Sequence, residues 1–129
     1  MNTQNNRPLS PHLQIYRLPF AALLSITHRA TGVILSLAAL LMIGVLAAAA
    51  SDAESYASIQ VHLSSWYGQI FLIGVTLSLY THLCNGIRHL FWDAGVGFEL
   101  ETAAKSGKMA IAAAVILTVT TWLIALNVG

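Results

Sequence analysis

The stretch "ATGVILSLAALLMIGVLAAAAS", residues 30–51, contains no charged side chain. As a helix rising about 1.5 Å per residue it extends about 33 Å, enough to cross the roughly 30 Å hydrocarbon layer of a bilayer. Two comparable charge-free windows follow, residues 55–87 and 109–129. Of the 129 residues, 57% are hydrophobic and only 9% charged, and the mean hydropathy is +0.71. A soluble domain carries about 25% charged residues, so the chain reads as an all-α membrane protein with three transmembrane helices. These are expected over about 21–50, 61–92 and 106–127, in a single membrane-anchor domain covering residues 1–129.

Residues 1–20, "MNTQNNRPLSPHLQIYRLPF", hold all three prolines. Proline disfavours helix in the residue before it, so an extended arm is expected there. The arm has neither the apolar core of a signal peptide nor the Arg- and Ser-rich character of a transit segment, which predicts a bacterial cytoplasmic membrane. Arg7, Arg17 and Arg29 precede or enter the first helix, and Arg88, Lys105 and Lys108 flank the second connection. The first connection, "SDAESYASIQ", has no Lys or Arg. The positive-inside rule then predicts a cytoplasmic N-terminal arm and second loop, with the first loop and C-terminus outside (N-in/C-out). The lone Cys84 excludes an intrachain disulfide. No repeat or soluble domain is visible, and no nucleic-acid partner is expected.

Each helix carries a different polar signature. On the first, Ser25, His28, Arg29, Gly32 and Ser36 recur at offsets of three and four and share one side. On the second, Gly74, Ser78, His82 and Gly86 form a ridge of four-residue steps, mostly small, that lets a helix or flat ligand approach. The third has Thr118, Thr120 and Thr121, which suit bonding to its own backbone, and reads as scaffold.

His82 lies about 9 Å along its helix from Arg88, well inside the apolar layer. An ionisable side chain is expensive there and calls for a partner. Neutral imidazole is a common iron ligand, and a bis-histidine b-type haem would supply that partner, with Gly86 leaving room for the porphyrin; a hydrogen bond to a neighbouring helix is the plainer alternative. Haem propionates would need water or cations near the surface, where His28, Arg29, Arg88 and His89 are found. His89 is about 10 Å from His82 along the axis, too far to bind the same iron, and His28 is too shallow to be the opposite ligand. The second axial ligand is therefore expected from another chain. His62 and His12 read as interfacial or hydrogen-bonding residues. Ser25 and Arg29, one turn apart, could present a hydroxyl and a guanidinium to a quinone carbonyl, or else cap backbone and snorkel to lipid phosphate. Asp93 reads as balancing Arg88 or His89.

Two motifs give a resemblance. "RPLSPHLQIYRLPFAALLSITHRATG" contains Arg7-Pro8 and then Ser25 with His28-Arg29-Ala30-Thr31, and "HLCNGIRHLFWDAG" contains His82, Gly86-Ile87-Arg88-His89 and Trp92-Asp93. Together they resemble the signatures of the cytochrome b membrane-anchor subunit of succinate dehydrogenase, respiratory complex II. The resemblance implies a succinate:quinone oxidoreductase in the respiratory chain and tricarboxylic acid cycle. A flavoprotein with FAD and an iron–sulfur subunit with its clusters would be partners, and a second three-helix anchor would share haem b with this chain. It further implies that His82 is an axial haem ligand, and that Ser25, Ile26 and Arg29 contribute to a site for ubiquinone as substrate. His28, Arg29, Arg88, His89 and Gly86 would form the haem surroundings. The chain has no flavin motif or cysteine cluster, so succinate oxidation would fall to the partners. A small homodimeric b-type cytochrome and a haem-free structural anchor are the alternative readings.

Overall fold

A computed structural model describes Leu13 and residues 15–128. Arg7, Pro8 and His12 lie outside the described residues. Four helices follow in order: α1 (Phe20–Ser51), α2 (Ala53–Ser64), α3 (Trp66–Asp93) and α4 (Leu100–Val128). The helices α1, α3 and α4 are long and apolar enough to cross a membrane. They run up, down and up again, so the start of α1, the end of α3 and the start of α4 share one end of the bundle.

The three apolar spans expected from composition are present, but two boundaries differ. Residues 53–64 form a separate helix, whereas a loop and the start of a long second span were expected there. The reason is local capping. Asp52 is an extended N-cap: its carboxylate accepts from the Ser55 backbone N–H at 2.7 Å and from the Ser55 and Ser51 hydroxyls at 2.7 and 3.1 Å. Those donors, the Ser55 N–H foremost, hold the Asp52 carboxyl below the usual carboxylate range. At the other end Ser65, also extended, stops α2 and caps α3 by accepting from Gly68 N–H at 3.2 Å. Its own hydroxyl donates back to His62 O at 2.5 Å.

Gly68 makes this corner possible. A Cβ added there would run into His62 O, and would stand only 2.7 Å from Leu63 O and 2.8 Å from Leu63 Cα. His62 and Tyr67 bridge the two helices with a 2.7 Å hydrogen bond between Nδ1 and the phenol oxygen.

The second boundary is the start of α4, at Leu100 rather than near residue 106. A charged first turn, carrying the 2.7 Å ion pair of Lys105 with Glu101, extends the helix beyond its apolar run. The preceding loop is set by the end of α3. Gly95 has φ +79°, Gly95 N–H donates to Trp92 O at 2.9 Å and Val96 N–H to Phe91 O at 2.9 Å. This is a Schellman stop, and its left-handed residue favours glycine. Trp92 Nε1 then donates to Gly97 O at 3.1 Å and ties the loop down.

Packing is inverted relative to a soluble protein. The buried apolar side chains are Leu24, Ala110 and Ala114, whereas Thr31, Ser78, Asn85, Arg88 and Thr118 are buried polar ones. Leucines, isoleucines and valines of all three spans face outward. Lipid accepts such a surface at no hydrophobic cost, so the polar groups gather inside and satisfy one another. Gly107, Ala110, Ala114 and Thr118 give α4 a narrow inner stripe, with Leu24 and Phe20 of α1 and Arg88 of α3 closing over Gly107. Thr118 bonds its own backbone at Ala114 O (2.8 Å), but Thr121 instead shares a 2.8 Å hydrogen bond with Tyr80 across to α3. The third span is thus more than a backbone-satisfied scaffold.

Candidate functional site

Three histidines meet between α1 and α3. The His28 ring lies in a stack, 4.0 Å between centroids and 10° from parallel with His82 on one side, and 4.9 Å and 15° with His89 on the other. The seven-residue interval between His82 and His89 on α3 leaves a space that a single α1 imidazole fills. Gly86 lies in that interval. A Cβ added there would stand 4.0 Å from His28 Cε1, so the gap expected for a flat ligand holds an imidazole in this structure.

The closest approach is on the other helix. A Cβ on Gly32 would lie 3.1 Å from His82 Cε1, so the His82 ring rests directly on the α1 backbone. His82 Nδ1 is 3.1 Å from Thr31 Oγ1 and 3.1 Å from His28 O. Its Nε2 makes no hydrogen bond to a described residue. His89 Nδ1 donates to Asn85 O at 2.8 Å. His28 Nδ1 is buried with no partner among the described residues.

Ser25, Ile26 and Arg29 lie on the exposed side of α1 near its start. Arg29 Nε donates back to Ser25 O at 3.4 Å, which holds the guanidinium beside the serine. The Ser25 hydroxyl makes no hydrogen bond to a described residue. A donor and a cation thus stand next to an open apolar wall, Ile26.

Comparison with known proteins shows the family. The model of the succinate dehydrogenase/fumarate reductase transmembrane subunit family matches residues 3–121. The chain belongs to that family. It is 46% identical over 121 residues to the succinate dehydrogenase cytochrome b556 subunit of Paracoccus denitrificans, covering 94% of this chain and 93% of the relative. It is also 38% identical over 118 residues to the cytochrome b556 subunit of Rickettsia felis (92% of each chain). The cytochrome b560 subunit of Reclinomonas americana is 37% identical over 129 residues (96% and 90%).

In this transmembrane subunit the polar side chains of α3 lie on two separate faces. His82 and His89 are directed to α1, but Arg88 turns to α4 and is only 8% exposed. Its Nη1 donates to Asn85 Oδ1 at 2.6 Å, Nη2 to Ala103 O at 3.0 Å and Nε to Ser106 Oγ at 3.1 Å. Its guanidinium carbon sits 4.8 Å from the Trp92 ring centre, a cation–π contact. The surface-level pair of Arg88 with His89 expected from sequence is therefore absent. Arg88 stands in apolar surroundings where unmet donors are costly, and α4 offers the acceptors. Nor does Asp93 form an ion pair with either residue among the described residues.

Asn85 is the residue that the sequence reading missed. It is 1% exposed and holds Arg88 through its side chain and His89 through its carbonyl. Its position three residues before an arginine in an apolar helix was the available signal. Asn85→Leu is expected to strand a buried charge and destabilise the bundle by about 2–3 kcal/mol. Asn85→Asp, which keeps an acceptor, is expected to lose much less. Thermal unfolding of the solubilised complex measures the difference.

The residues present suit a haem. Among the described residues no cluster of three His, Cys, Asp or Glu forms a complete metal site, but one half-buried imidazole, His82, has an unengaged Nε2. Beside it is a buried His28 nitrogen with no hydrogen-bond partner among the described residues.

Proposed function

We propose that this chain is the cytochrome b anchor of a succinate:quinone oxidoreductase. It supplies one axial histidine, His82, to a b-type haem shared with a second anchor chain, and part of a ubiquinone-reduction site. The observation that carries this reading is His82 itself: a half-buried imidazole seated on α1, with Nδ1 engaged and Nε2 unengaged, deep in an apolar span. Bound there, a haem supplies reversible one-electron transfer.

The chain's own residues divide the work. His82 Nε2 would hold the iron of a bound haem. His28 Nδ1, buried without a partner, is the donor this chain offers to a propionate. His89 closes the stack on the outer side of His28. Arg88 fixes α4 against α3 and keeps that side of the haem surroundings rigid. Ser25 donates its hydroxyl to one quinone carbonyl, Arg29 stabilises negative charge developing on the ring oxygens, and Ile26 borders the ring. In the N-in orientation these residues lie at the cytoplasmic end of the bundle, where an iron–sulfur subunit delivers electrons and water delivers protons. Succinate oxidation stays with the flavoprotein subunit.

The haem reading is tested on the complex purified with its partner chains. A dithionite-reduced minus oxidised spectrum with a b-type band, in stoichiometric amount with flavin, is expected. A fully assembled complex without haem would overturn it. The quinone reading has a separate test. Ser25→Ala and Arg29→Leu are each expected to lower succinate:quinone activity by about tenfold or more, about 1.4 kcal/mol or more in the barrier. Succinate oxidation by an artificial dye should survive. Parental quinone turnover in both variants would remove these residues from the site.

A further inference from the structure

Thr31 is buried in the contact between α1 and α3, 6% exposed, with its hydroxyl facing His82 Nδ1. Three atoms form a triangle there. Thr31 Oγ1 lies 2.9 Å from His28 O and 3.1 Å from His82 Nδ1, and that nitrogen is itself 3.1 Å from His28 O.

A carbonyl oxygen can only accept. The Thr31 hydroxyl donates its proton to His28 O, the local bond that threonine in helices commonly makes. A lone pair of Oγ1 is then left facing Nδ1. If Nδ1 were unprotonated, its own lone pair would point at the carbonyl from 3.1 Å with no proton between them. Both oxygens therefore call for a proton on Nδ1, which leaves Nε2 as the bare, ligating nitrogen.

We infer that Thr31 is a positioning residue that locks His82 in the Nδ1–H tautomer and fixes its ring plane, so that Nε2 is permanently presented to the haem iron. The inference rests on the reading of His82 as an axial ligand. Gly32 cooperates, since a Cβ there would stand 3.1 Å from His82 Cε1 and push the ring off its present seat by a few tenths of an ångström. Donation from Nδ1–H makes an imidazole a stronger electron donor, which favours ferric over ferrous iron. Deleting Oγ1 leaves the carbonyl as the sole acceptor and weakens that bias.

The test compares Thr31→Val, Thr31→Ala and Thr31→Ser in the assembled complex, reading haem content, the ferric electron paramagnetic resonance spectrum and the haem midpoint potential. In the Val and Ala variants the ferrous form is expected to gain about threefold, an upward shift of about 28 mV at about 59 mV per tenfold change for one electron. Broadened ferric resonances are expected with it. Ser, which keeps the hydroxyl, is expected to restore parental values. Loss of haem from Val and Ala, with Ser haem-loaded and dye-linked succinate oxidation retained in all three, is the same dependence at its limit. Parental potential and spectrum in Val or Ala would overturn the proposal, as would equal damage in Ser. Failure of the underlying reading looks different: His82→Ala would then keep its haem.

Discussion

His82→Ala is expected to empty the complex of b-type haem, from about one haem per flavin to below about a tenth, while the flavoprotein stays attached to the membrane. Removing only the hydrogen-bond partner of a metal-binding side chain typically costs about 10–100-fold in metal affinity, so losing the ligand itself should exceed that. The rest of the bundle has reasons to survive. The Asn85, Arg88, Ser106 and Ala103 network joins α3 to α4 without involving His82. The Thr31 hydroxyl retains its bond to His28 O. His89→Ala is the matching control: it removes the outer ring of the stack and is expected to leave haem bound. Haem and covalent flavin, quantified in the same preparation, give the answer. A stoichiometric haem signal in His82→Ala would eliminate this residue as the ligand.

Gly68→Ala is expected to break the corner between α2 and α3 at a cost of about 4 kcal/mol or more. Overpacking a core usually costs about 1–3 kcal/mol because side chains can give way. Here the obstructing atoms are backbone: His62 O, and Leu63 O and Cα at 2.7 and 2.8 Å. No rotamer change relieves them, so α2 must swing away or the first turn of α3 must open. Hydrogen exchange on α2 amides is expected to accelerate by about a hundredfold or more, with the 2.7 Å contact of His62 with Tyr67 lost. Gly68 is about 21 Å along α3 from His82, so the haem spectrum should be unchanged. Parental protection of α2 in Gly68→Ala would refute the argument.

Much of this arrangement was legible beforehand. Charge-free length gave the three spans, and His82 stood out because an imidazole deep in lipid needs a reason. What escaped were features carried by pairwise packing. Asp52 and Ser65 are ordinary polar residues in a polar stretch, and only their extended backbone makes them caps that turn an expected connection into a helix. Arg88 read as a surface cation because one-dimensional depth places it near the helix end. Its burial depends on acceptors contributed by α4, fifteen and eighteen residues away. Spacing makes Gly86 the gap and Gly32 part of a polar stripe, but which glycine receives which ring depends on how α1 and α3 are rotated toward each other. Helical spacing alone does not contain that rotation.

Because His82 seats on α1 and Arg88 on α4, α3 behaves like a key with wards on two sides. Six residues separate them, about 600° of winding, so the two side chains project about 120° apart around the axis. Inserting or deleting a single residue between them would turn one by about 100° relative to the other. The helix could then keep its imidazole in place or its guanidinium, but not both. The spacing between these two residues is therefore a phase constraint: a substitution between them that keeps the helix leaves their relative direction unchanged, whereas a change of length does not.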